Sequence, residues 1–133
     1  MPAVQFILCE PFILAVGKVK DKWDDYSTEL KKRQASVLRL SQEFDAIFVS
    51  FQSAFDKALP RAPAEYWIWD GIHPMPAGHE LMAREWLHHV SKKLKFVKLV
   101  YNTKGPFRSL KRGPQLIIVV TFLTYPDLIK SKH

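Results

Sequence analysis

The sequence predicts an α/β fold, and three observations carry that reading. Residues 4–14 (VQFILCEPFIL) are β-rich and apolar on both faces, as suits a strand buried on both sides of a parallel sheet. Residues 24–44 and 76–92 repeat their apolar positions at close to helical spacing. Between them, residues 46–51 (AIFVSF) form a second short apolar run. Strand, helix, strand, helix is the order of a βαβ unit, whose crossover is right-handed in nearly all cases, in a fold of two or three layers.

In chain order, Pro11 cannot donate to a ladder, so it marks the end of the first strand and a loop runs on to Gly17. Asp24 or Asp25 is placed to cap the long helix, whose stripe reads Tyr26, Leu30, Val37, Leu38 and Phe44 against a Lys/Arg/Glu-rich opposite face. Residues 52–59 read as a short helix ended by Pro60 and Pro63, with an irregular segment through Trp69. Pro76 opens the last clear helix. Its predicted stripe is His79, Met82, Ala83, Trp86, Leu87 and Val90, and Lys92 and Lys93 suit the negative end of its dipole. Beyond it, residues 96–101 and 116–123 are candidate strands separated by a Gly/Pro/basic stretch.

With 133 residues the chain is one ordinary domain. Its 47% hydrophobic and 25% charged content excludes wholesale disorder and a disulfide-rich scaffold. No apolar run approaches the roughly 20 residues of a membrane span, and no signal peptide is visible, so a soluble chain is expected and its compartment stays open. Cys9, the sole cysteine, sits in an apolar run without a cationic neighbour and reads as a buried, inert thiol.

The net charge of +7 is unevenly spread. Residues 1–92 carry 11 Lys/Arg against 12 Asp/Glu, whereas residues 93–133 carry 9 Lys/Arg against the single Asp127. That asymmetry divides the chain into a main part, 1–92, and a basic extension, 93–133, irregular or strand-forming. The extension interleaves cations with Phe96, Tyr101 and Phe107, a composition able to meet phosphates and bases. It matches no nucleic-acid-binding motif, so nucleic acid is not the expected partner.

Chemistry concentrates in Trp69-Asp70-Gly71-Ile72-His73-Pro74, followed by Pro76-Ala77-Gly78-His79. An Asp three residues before a His, in a glycine-containing loop, suits an acid–base pair. The carboxylate takes the Nδ1 proton, which fixes the tautomer and frees Nε2 as general base. Trp67 and Trp69 are candidate walls of a pocket for an acyl or sugar group. His79 reads as a packed helix residue, and His73 with His79 lacks further donors at metal-ligand spacing, so no metal is expected.

The block D-G-I-H-P-x-P-A-G-H before an amphipathic helix resembles the last motif of the SGNH hydrolases, the GDSL-like lipase/acylhydrolase family. The resemblance covers residues 3–92 and is specific mainly at 69–79. It implies a flavodoxin-like, three-layer α/β/α fold and hydrolysis of carboxylic esters without cofactor. His73 is then the general base and Asp70 its orienting carboxylate, and acyl esters or acetylated compounds are the substrates. The family's G-D-S nucleophile block and its G-x-N-D oxyanion block are not in this sequence, whose one asparagine is Asn102. The expectation is therefore the C-terminal half of such a domain, its N-terminal half missing and the chain inactive alone. The first strand would then lack a neighbour, and either residues 116–123 or a second copy would pair with it. The rival expectation is a non-catalytic binding or interaction protein that uses the basic extension.

Overall fold

The computed structural model describes residues 4–95 and the strand Ile118–Thr121. The elements in order are β1 (Gln5–Cys9), α1 (Gly17–Lys20), α2 (Trp23–Glu43), β2 (Ile47–Val49), α3 (Phe51–Ala58), α4 (Ala64–Trp67), α5 (Pro76–Lys93) and β3 (Ile118–Thr121), with a 3₁₀ turn at Leu59–Arg61. They make a mixed α/β structure around a small parallel sheet of order β2-β1-β3. The two strands expected from the sequence are adjacent and parallel, with Ile7 opposite Ile47 and Cys9 opposite Val49. The other side of β1 is taken by β3, which sets Gln5 opposite Ile118 and Leu8 opposite Thr121. β3 lies within residues 116–123, one of the two expected occupants of that side. The candidate strand at 96–101 lies outside the described residues.

β1 stops at Cys9, immediately before Glu10-Pro11, because proline has no N–H to continue the ladder. Its pleat sends Ile7 and Cys9 into one cluster with Ile47, Val49, Phe51 and Val90, against which Met82 and Trp86 of α5 pack. Fully burying an Ile or Val of this cluster contributes about 1.5–3 kcal/mol. Phe6, one step along the pleat, meets Phe44 at the end of α2, with ring centroids 6.1 Å apart.

Two helix expectations need correction. Lys22 is the N-cap residue of α2 and makes no side-chain cap. Asp24 and Asp25 lie inside the first turn, where their charge suits the positive end of the dipole. The buried stripe of α2 is Leu30, Val37 and Ser41, whereas Leu38 and Phe44 are exposed. On α5 the core-facing positions are Ala77, Gly78, Leu81, Met82, Trp86 and Val90. His79 and Ala83 face solvent. The error is one of phase. The spacing of apolar residues is right, but small residues at 77 and 78 mark the face that approaches the loop before the helix.

Asp45, with φ of 45°, turns the chain from α2 into β2. The Gln5 side-chain amide and the Lys93 ammonium both donate to its carbonyl, at 3.1 and 3.0 Å. These bonds join the starts of β1 and β2 to the end of α5. No helix among the described residues is long and apolar enough to cross a membrane.

Candidate active site

The Asp-x-x-His loop is closed at its base by a single antiparallel bridge between Ile68 and Pro74. Ile68 is fully buried, so one end of the loop is set in the core. The other end leads into α5, whose start is tied back when the Met75 amide donates to the Trp67 carbonyl at 2.8 Å.

Within this loop Asp70 is buried and satisfied on both oxygens. Its Oδ1 accepts the backbone N–H groups of Ile72 at 3.0 Å and His73 at 2.8 Å. Its Oδ2 lies 2.6 Å from His73 Nδ1. Burial pushes the Asp70 carboxyl up, but these hydrogen bonds, led by the His73 backbone N–H and ring, outweigh it and hold the group below its ordinary value. An ionised Asp70 keeps the proton of a neutral imidazole on Nδ1, which leaves Nε2 with a lone pair. The His73 side chain is 67% exposed against 9% for Asp70. Among the described residues Nε2 meets no hydrogen-bonding partner, and no Ser, Thr or Cys bonds to the ring.

The loop is also gripped from the segment that leaves β1, a feature invisible in the motif. The Leu14 N–H donates to the Gly71 carbonyl at 3.0 Å. Gly71 has φ of +94°, and a Cβ there would stand 2.5 Å from Val19 Cγ2 and 2.8 Å from the Leu14 carbonyl oxygen. Gly17, with φ of +53°, lies so close to Asp70 that a Cβ would stand 2.6 Å from its Cα. Both glycines thus have two reasons to be glycine, the left-handed backbone and the contact. Through them the turn before α1 fixes the carboxylate that orients His73. The only local hint was a glycine after an apolar run, since its partner lies far along the chain.

The two tryptophans separate. Trp67 is 8% exposed, packs with Leu14, Phe55 and Ile68, and donates its indole N–H to the Ala62 carbonyl at 3.2 Å. It is a core residue. Trp69 is 57% exposed and adjoins the dyad.

A second carboxylate cluster, not anticipated from the sequence, sits where β1 and β2 end. Glu10 Oε2 accepts the Ser50 hydroxyl at 2.5 Å and the Gln52 N–H at 3.3 Å. Gln52 in turn accepts the Ile13 N–H at 3.0 Å. Cys9 is buried, and burial pushes its thiol up to about 11, leaving it a poor nucleophile. No group of three His, Cys, Asp or Glu able to hold a metal ion occurs among the described residues.

Comparison with known proteins gives two partial matches. An acetylxylan esterase of Geobacillus stearothermophilus is 33% identical over 54 residues, which is 41% of this chain and 25% of that protein. A crystal structure described as a GDSL-like lipase, from Parabacteroides merdae ATCC 43184, superposes with a TM-score of 0.59 at 43% identity. The match covers 65% of this chain and 39% of the lipase. The chain therefore spans well under half the length of either relative. No family model matches it.

Proposed function

From a chain that shares sequence and fold with part of the SGNH/GDSL hydrolase family, we propose that residues 1–92 supply the acid–base half of a Ser-His-Asp ester hydrolase. His73 Nε2 takes the proton of a serine hydroxyl as it attacks an ester carbonyl, and returns it to the departing alkoxide. Asp70 holds the imidazole and stabilises its charged form. The serine and the oxyanion donors come from Gly-Asp-Ser and Gly-x-Asn-Asp blocks outside these residues, on the remainder of a three-layer α/β/α domain. Acyl esters or acetylated compounds are the substrates. The observation that supports this most directly is the 2.6 Å contact of Asp70 Oδ2 with His73 Nδ1 beside an open Nε2.

On this reading those blocks supply the nucleophile and the oxyanion site, and removing even one oxyanion donor costs about 10²–10³ in rate. Alone, the chain is expected to hydrolyse a short-chain p-nitrophenyl ester no faster than its His73→Ala variant. Mixed with a polypeptide bearing the Gly-Asp-Ser part of the lipase relative, it should gain turnover that His73→Ala removes. Robust His73-dependent hydrolysis by the chain alone would refute the missing-nucleophile reading. A folded complex with no turnover would refute the triad reading.

A further inference from the structure

The two neighbours of β1 come from different parts of the chain. β2 is joined to it through α1 and α2, within residues 1–92, whose charges nearly balance. β3 comes from residues 93–133, which carry 9 Lys/Arg against the single Asp127 and lie outside the stretch that resembles the hydrolase family. It pairs in parallel with Gln5–Leu8 and so makes β1 the middle strand. β1 has the character of such a strand. It runs for five residues without a charge or a proline, whereas natural edge strands are kept short or carry charges. β2 has only three residues and passes at once into Ser50 and α3, which Glu10 holds to the end of β1.

A sheet that grows into a larger domain therefore grows from β1 and not from β2, and the dyad agrees. The loop carrying Asp70 and His73 is tied to the segment that leaves β1, through the Leu14 N–H on the Gly71 carbonyl and the packing of Gly17 against Asp70. Open parallel sheets place their reacting groups outside the carboxyl ends of the strands, so a strand that delivers a serine to Nε2 belongs beside β1. We infer that β3 is an autoinhibitory stand-in: it covers the β1 edge on which a parallel strand of the nucleophile-bearing part docks, and that part displaces it on assembly. A segment of the same chain competes without the loss of translational freedom that a separate partner suffers. The partner's apparent affinity is lowered by the fraction of chains whose edge is covered. The inference rests on the ester-hydrolase reading above and adds the surface on which that enzyme is completed and the segment that guards it.

The test pairs the full chain with the polypeptide bearing the Gly-Asp-Ser part of the lipase relative, and reads affinity, hydrogen exchange and turnover separately. Val119→Pro combined with Val120→Pro removes two N–H groups from β3 and weakens its hold on β1. The doubly substituted chain should bind the polypeptide about tenfold more tightly than the wild type or better, with the same kcat in the saturated complex. In the wild-type chain the backbone amides of Ile118–Thr121 should exchange about tenfold faster once the complex forms, while those of Gln5–Cys9 stay protected. That measurement needs no variant, so it decides the matter even if the prolines impair folding. His73→Ala should leave affinity and exchange as they are and abolish turnover. A complex that assembles with these changes but never turns over would thus refute the triad and leave the role of β3 standing. Protection of Ile118–Thr121 retained in the complex, equal binding by a folded proline variant, or no complex at all would overturn the inference. So would a proline variant that forms dimers and ignores the polypeptide, since the edge would then suit a second copy.

Discussion

Two carboxylates of this structure do opposite work with similar contacts. Asp70 accepts two backbone N–H groups and an imidazole. Glu10 accepts one backbone N–H and a serine hydroxyl. A serine 2.5 Å from a carboxylate has the look of an activated nucleophile. Yet Ser50 is the N-cap residue of α3, Gln52 is in its first turn, and Glu10 serves both from the end of β1. The Glu10 Oε2, the Ser50 hydroxyl proton and the Gln52 N–H are spent holding the helix to the end of the strand. At Asp70 the same kind of bonding ends on a ring with a second nitrogen left over. What distinguishes a reactive pair from a structural one here is the group that remains free, and not the short contact itself.

The comparison is tested most severely at Asp70. Asp70→Asn preserves shape but puts a donor where the Nδ1 proton must go, which forces the wrong tautomer. In the complemented enzyme kcat should fall by about 10⁴. Glu10→Gln should leave kcat within about threefold, since its bonds reach only the cap of α3 and not the imidazole. Equal losses from both substitutions, read in steady-state kinetics at matched folded fraction, would erase the distinction.

Gly17→Ala comes next in size. The added methyl meets the Asp70 backbone, and the left-handed φ is unfavourable for alanine, so a loss of about 3 kcal/mol in unfolding free energy is expected. Urea denaturation measures it. The downfield Nδ1 proton signal of His73 should weaken with it even under conditions where the variant is fully folded. Ala15→Gly, at an exposed neighbouring position, is the control and should change neither reading by much.

Acid provides a gentler handle. The carboxyl of Asp70 is held below its ordinary value of 3.8 in the native chain. A group lowered on folding stabilises the protein fully above its unfolded pKa and loses that contribution as pH falls through the native one. The stability gap between wild type and Asp70→Asn should therefore be flat above about pH 5 and shrink on further acidification. A gap that instead grows toward low pH would mean that Asp70 is protonated in the native chain, and the dyad would lose its orienting charge.

How far the sequence foretells these features depends on the range of each interaction. The strands at β1 and β2 and the helices at α2 and α5 are legible because apolar spacing is a local property. The Asp70–His73 pair is legible because a three-residue separation inside one glycine-bearing loop nearly dictates the contact. The phase of α5 is only partly so, since His79 and Ala83 fit the stripe of Met82, Trp86 and Val90 as well as Gly78 and Leu81 do. Only the loop packed against the helix chooses between them. Gly17 against Asp70, Leu14 to Gly71 and Glu10 to Ser50 join residues far apart in the chain, and no spacing rule points to them. Trp67 and Trp69 look equivalent in sequence, and the core beneath Ile68 is what buries one and exposes the other.

Ser50 gives the smallest expected effect and separates the two carboxylates most cleanly. Ser50→Ala removes one hydroxyl from a half-buried carboxylate that keeps the Gln52 N–H. Losing one half-buried hydrogen bond of this kind costs about 1 kcal/mol, visible as a small decrease in the urea midpoint with an unchanged slope. Turnover of the complemented enzyme should be unaffected, because Ser50 is bound to Glu10 and not to His73. Nucleophile labelling with a fluorophosphonate should likewise miss Ser50, whose proton goes to a carboxylate committed to the helix. If Ser50→Ala abolished His73-dependent hydrolysis, or if mass spectrometry placed the label on Ser50, the structural cluster would have to be redrawn as the nucleophile's site. The chain would then hold all three members of a triad within its own 133 residues.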